Sequence, residues 1–236
     1  MSKQFVLYKI RFYLYMINFP ILPTVLYCEP ILDSFIKRPF YAISNIPYVL
    51  IGIYLIYSNR NNEKSLGKIF GLHMIMIGVF SFLYDAQVTF FTQILDLSAM
   101  FLFISFYFIL NLQKLKPRVK INYPFIFILL NIINLILIIV LQGSSGRILF
   151  ASVLVGAVGI EIYLIFKEKL RLVQINYFIW AIFLLAIGFG IWMLDANHIW
   201  CDSTNILNGR GVFHYLTAIS IFLLYKNISK MTENNN

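Results

Sequence analysis

The stretch from Ser81 to Asp96 sets a hydroxyl and two carboxylates, Ser81, Asp85 and Asp96, between long apolar runs. A second polar knot, Gly209-Arg-Gly-Val-Phe-His214, opens the last apolar run and adds a guanidinium and an imidazole. Ser81 and Asp85 are four residues apart and share a helical face. Ionisable side chains inside a bilayer are costly and mark a site by default. The two knots read as halves of one polar pocket. The competing reading scatters them: Ser81 bonding a backbone carbonyl, Asp85 solvated at the membrane surface, Asp96 complementing a helix dipole and His214 packing among neighbours.

Composition fixes the elements that must position these groups. Of 236 residues, 60% are hydrophobic, 17% aromatic and only 12% charged, and the mean hydropathy is +0.80. Such a chain is an integral membrane protein rather than a soluble domain. Runs long enough to cross a bilayer, about 17–25 residues, fall at Ala42–Tyr57, Ile69–Tyr84, Thr92–Leu112, Tyr123–Leu141, Leu149–Phe166, Tyr177–Leu194 and Gly211–Tyr225. The expected fold is all-α, a bundle of seven transmembrane helices; the strand alternation of a membrane barrel is absent. Residues 1–27 form an N-terminal hydrophobic or interfacial segment, interrupted by Pro20 and Pro23 and lacking an A-x-A-like cleavage site. Residues 28–226 form the membrane domain, and 227–236 a disordered polar tail.

The net charge of +9 comes from Lys and Arg in short connectors, not from a basic stripe, so nucleic acid is not an expected partner. Basic residues crowd the connectors after the first, third, fifth and last runs, for example Arg60, Lys64 and Lys68, or Lys114, Lys116, Arg118 and Lys120. The positive-inside rule puts these and the C-terminus in the cytoplasm and both polar knots at the outer face. Cys28 and Cys201, the only cysteines, share that outer side, where a disulfide can persist. His198 lies on the same side and is the one spare histidine able to supplement a metal site. His73 is expected to pack, and Glu161 within the fifth run requires pairing or protonation.

Taken in order, Cys28-Glu29, Arg38-Pro39, Ser44-Asn45, Ser81 with Asp96, Trp192-x-Leu-Asp195 with Cys201, and Gly209-x-Gly-x-Phe-His214 make the chain similar to the alkaline ceramidase family. These are seven-helix membrane amide hydrolases in a superfamily that includes the adiponectin and progestin receptors. The resemblance implies a zinc ion held by three histidines near the outer face, with a serine and an aspartate completing a site in which metal-bound water attacks a ceramide-like lipid. On that pattern Ser81 and Asp96 take the serine and aspartate positions and His214 the last histidine position. The other two zinc positions hold Asp85 and Arg210. Cys28-Glu29 resembles the family's calcium-binding region, but Leu26, Ile31, Phe40 and Tyr41 stand where acidic and amide ligands belong, so calcium is not expected.

A guanidinium has no lone pair and repels a dication, so Arg210 is no zinc ligand. Facing Asp85, it forms a salt bridge in the metal's place, which is the expectation here. Three functions remain open at this point: a ceramidase-like protein that has lost zinc and keeps a lipid-binding or regulatory role; an amide hydrolase with zinc on Asp85, His214 and His198; and a small transporter or channel. The partner in the first two is a membrane lipid. Enzyme status, lipid identity and oligomeric state stay undetermined by the residues alone.

Overall fold

The computed structural model describes residues 23, 27–61, 65–115, 121–141, 144–168, 172–200, 205 and 207–233. The described residues form an all-α bundle: α1 (Pro39–Ser44), α2 (Ile46–Ser58), α3 (Leu66–Gln87), α4 (Phe90–Lys114), α5 (Tyr123–Leu141), α6 (Ser144–Glu168), α7 (Leu172–Ala196) and α8 (Gly209–Glu233). Only Asn45 separates α1 from α2, and Pro39–Ser58 serves as one span. Among the described residues six helices, this one and α3 to α7, are long and apolar enough to cross a membrane.

The seventh expected span, α8, falls outside that set although it is 25 residues long. Its polar side chains are turned inward: Arg210, His214, Thr217, Ser220 and Asn227 are all buried. It packs on α7 and touches α1, α2 and α3. A helix shielded by its neighbours tolerates polar groups that lipid would not, provided each finds a partner. Ser220 donates to the carbonyl of Ala181 on α7 at 2.7 Å, and Asn227 donates to Glu161 on α6 at 2.7 Å. Glu161 is thus paired from a helix that no spacing rule connects to it.

Two boundaries differ from expectation. α8 continues to Glu233, so the polar tail does not begin at 227; Asn227 and Ile228 are buried because α8 is held by its contacts inside the bundle. Tyr27, assigned to the N-terminal segment, is buried against Tyr41 and Trp192 and belongs to the membrane domain. The rest of that segment, apart from Pro23, lies outside the described residues.

α2 and α3 cross at their closest on glycine. A Cβ on Gly71 would lie 2.6 Å from the carbonyl oxygen of Gly52, and one on Gly52 would lie 2.7 Å from that of Gly71. Without a hydrophobic drive between helices in lipid, close backbone approach of this kind supplies the van der Waals contact that joins them. The α3–α4 turn is held by Thr89, whose side chain and that of Thr92 form a capping box. Val88 closes α3 in the left-handed region at φ 52°, its amide returning to the carbonyl of Tyr84. The tight return brings α4 back along α3, which sets Asp96 against Ser81.

Gly71→Leu is expected to force α2 and α3 apart and to destabilise the bundle by about 1–3 kcal/mol, the usual range for overpacking. Its side chain would meet Ile56, whose Cγ1 lies 2.8 Å from where a Gly71 Cβ would stand. A lower unfolding midpoint in detergent, partly rescued by Ile56→Ala, checks the assignment.

Candidate functional site

Ser81, Asp85, Asp96, Arg210 and His214 are all buried and meet at one end of the bundle. Arg210 reaches across from α8 to α3: Nε lies 3.1 Å from Asp85 Oδ1 and 3.3 Å from Oδ2, and Nη2 lies 3.3 Å from Oδ2. The second acid is farther, with Arg210 Nη2 3.7 Å from Asp96 Oδ2. Ser81 donates to Asp96 Oδ1. Asn45 donates from Nδ2 to Asp85 Oδ2 at 3.3 Å and to the carbonyl of Tyr41 at 3.0 Å.

Three tyrosines surround the guanidinium. Its central carbon stands 4.4 Å from the Tyr27 ring centre, 5.4 Å from that of Tyr84 and 5.8 Å from that of Tyr41. Aromatic faces attract a desolvated cation and exclude water from it. Nothing in the sequence marked these rings, since aromatic residues are spread along the whole chain.

The backbone of the site is fixed by two further acids. Asp195, at the end of α7, accepts from the Arg210 amide at 2.9 Å, from the Tyr41 hydroxyl at 2.9 Å and from the Cys28 amide at 3.3 Å. It caps the start of α8, whose first amides lack helical partners. Gly209 permits this approach, because a Cβ there would lie 2.8 Å from the Asp195 Cβ. Asn208 takes the next amide, that of Gly211, at 2.6 Å. Glu29 does the same for α1, accepting from Phe40 and Tyr41 at 2.9 and 2.8 Å. Burial pushes the Glu29 carboxyl above its usual range, and those two amides pull it back.

His214 stands apart from the acids and bonds Ser44, with Nδ1 2.7 Å from the hydroxyl oxygen. Ser44 Oγ also lies 2.7 Å from the Tyr41 carbonyl, so the hydroxyl holds the ring against α1. His73 bonds its own helix through Ile69 and stacks on Phe106 at 5.0 Å, a packing role. His198 Nδ1 lies 3.7 Å from Cys28 Sγ in the connector beyond α7. Cys201 lies outside the described residues.

Tyr27, Tyr48, Ser81, Asp96, Arg210 and His214 line the polar end of a cleft. It shares Tyr48, Ile77, Met100 and Phe213 with a deeper apolar cavity that runs between Phe103, Leu154 and Leu224. One polar end and one apolar depth match the shape of an amphiphile.

The family model described as Ceramidase matches residues 24–235. The chain belongs to the ceramidase family. A comparison with curated proteins finds no match. Among the described residues no three His, Cys, Asp or Glu side chains are grouped as metal ligands, and the Arg210 guanidinium is bonded to Asp85 in their midst. A guanidinium has no lone pair to offer a metal ion, and here it is bonded to the Asp85 carboxylate.

Asp85→Leu or Arg210→Leu alone is expected to cost about 3–5 kcal/mol, since the first leaves buried Arg210 with only the more distant Asp96 and the second strands the Asp85 carboxylate. Asp85→Leu with Arg210→Leu together should cost less than the sum of the two. Unfolding of the three variants and the parent in a double-mutant cycle measures the coupling; additive losses would show that the pair does not interact.

Proposed function

We propose that this ceramidase-family protein binds an amphipathic membrane lipid in the cleft and does not hydrolyse it by zinc chemistry. The observation that carries the reading is Arg210, whose guanidinium is paired with Asp85 at 3.1 Å. An acid at one family ligand position and a base at another balance each other without a dication. The cleft supports a lipid ligand, and the family suggests a ceramide-like one. Following the basic connectors, the cleft faces the non-cytoplasmic side and the C-terminus the cytoplasm.

Protein purified without added metal is expected to hold zinc well below one ion per chain and to leave ceramide intact. Stoichiometric zinc, together with ceramide hydrolysis abolished by His214→Ala, would overturn this in favour of an amide hydrolase using Asp85, His214 and His198. Asp85→His with Arg210→His recreates three histidines with His214 and should raise zinc affinity. Activity need not return with the metal, since outer groups such as Asn45 and Ser44 are arranged around the salt bridge and the hydroxyl bond.

We also propose a Cys28–Cys201 disulfide on that outer side. Cys28 Sγ lies 3.6 Å from the carbonyl oxygen of Trp200, the residue before Cys201. Peptide mapping without reductant should join the two cysteine peptides, and separate peptides would refute the bond.

A further inference from the structure

We infer that the groove between α4 and α5 binds a neutral bilayer lipid bearing a free hydroxyl, of the diacylglycerol class. The groove has a volume of about 320 Å³ and is lined from α4 by Ser98, Phe101 and Leu102 and from α5 by residues that include Asn131 and Asn134. It is distinct from the Arg210 cleft, with which it shares no lining residue. Ile128, Ile132 and Leu135, which also line it, are 56%, 50% and 40% exposed, so the groove opens sideways on the surface that lipid covers.

Its polar content is specific. Asn134 is 3% exposed and its Nδ2 has no hydrogen-bond partner. In hydrocarbon no water is at hand to accept from it, and orphaned donors there are rare. Asn131 donates from Nδ2 to the carbonyl of Phe127 at 2.8 Å, which leaves its Oδ1 as an acceptor on the same wall. An orphan donor beside an acceptor is satisfied by one group that both accepts and donates, a hydroxyl.

Depth and charge narrow the class. α5 is the most apolar of the described spans. Asn134 sits about 10 Å below the Leu141 end of α5 and Ser98 about 12 Å below the Phe90 end of α4, at a rise of about 1.5 Å per residue. Both ends lie on the side of the bundle that holds Asp96, so the polar spot is well inside that leaflet. Among the described residues no charged side chain lines the groove. A phosphate-bearing head drawn to this depth would be desolvated with no cation to meet it. Diacylglycerol has a hydroxyl and no charged head, so its glycerol can sink to the asparagines while its chains lie along Phe101, Ile132 and Ile138.

The test uses full-length protein in phosphatidylcholine nanodiscs with a photoreactive acyl chain carried either on diacylglycerol or on phosphatidylcholine. The expected result is labelling of α4 and α5 peptides several-fold stronger from diacylglycerol, competed by unlabelled dioleoylglycerol but not by its methyl ether. Asn134→Leu removes a polar group that has a partnerless nitrogen and should lower labelling several-fold with the unfolding midpoint kept. Asn131→Leu tests the acceptor separately and should do the same. Equal labelling by the two probes, labelling indifferent to both substitutions, or cross-linking of α5 to a second copy in place of lipid labelling would overturn the proposal.

Discussion

A permanently charged guanidinium buried in a membrane bundle must be neutralised on the spot, and the end of the bundle that holds Arg210 is organised by that need. Taking an ion out of water costs several kcal/mol even after relaxation. One acid at contact returns about 4 kcal/mol at an effective dielectric near 20, which does not offset the desolvation of both partners. Arg210 accordingly has more than one acid: Asp85 in direct contact and Asp96 at 3.7 Å. The rings of Tyr27, Tyr41 and Tyr84 cover its remaining faces. Asp85 in turn is bonded by Asn45, and Asp96 by Ser81. Each satisfied group places the next, so residues from the first, second, third and last spans are drawn together.

The same constraint explains why the helix starts are so heavily capped. α1 has only six residues and α8 begins with the charge itself. Neither start could remain unpaired inside the protein, since buried amides without partners are as costly as lost hydrogen bonds. Glu29 meets the amides of α1, Asp195 and Asn208 those of α8, and the Tyr41 hydroxyl joins Asp195 to the Glu29 amide at 3.0 Å. The network fixes the height of Arg210 against Asp85. A small slip of α8 would break the salt bridge and the cap together.

At this end of the bundle Ser81 and Asp96 bond each other, and His214 lies inside, held by Ser44. At the centre stands an arginine side chain bonded to a carboxylate. The cleft and the apolar cavity beyond it share Tyr48, Ile77, Met100 and Phe213, so the polar end opens onto an apolar depth. Arg210 and Asp85 balance each other's charge, and losing either one would remove the nearest partner of a buried ion.

The sequence by itself determined the class, the spans and the exceptional residues, because the bilayer allows few polar groups and each one stands out against apolar runs. Ser81, Asp85, Asp96, Arg210 and His214 were legible for that reason, and the ordered motifs tied them to a family. Helix ends were legible only to within a few residues, and α8 extends past Tyr225 because buried contacts such as Asn227 with Glu161, not hydropathy, hold it. Tertiary structure alone decided how far Asp96 stands from Arg210, that tyrosines enclose the guanidinium, and that Ser44 holds His214. It also revealed Asn134 as an orphan donor in an apolar groove. Such facts depend on which faces of distant helices touch, and chain spacing carries no record of contacts made more than a hundred residues apart, such as Ser44 with His214.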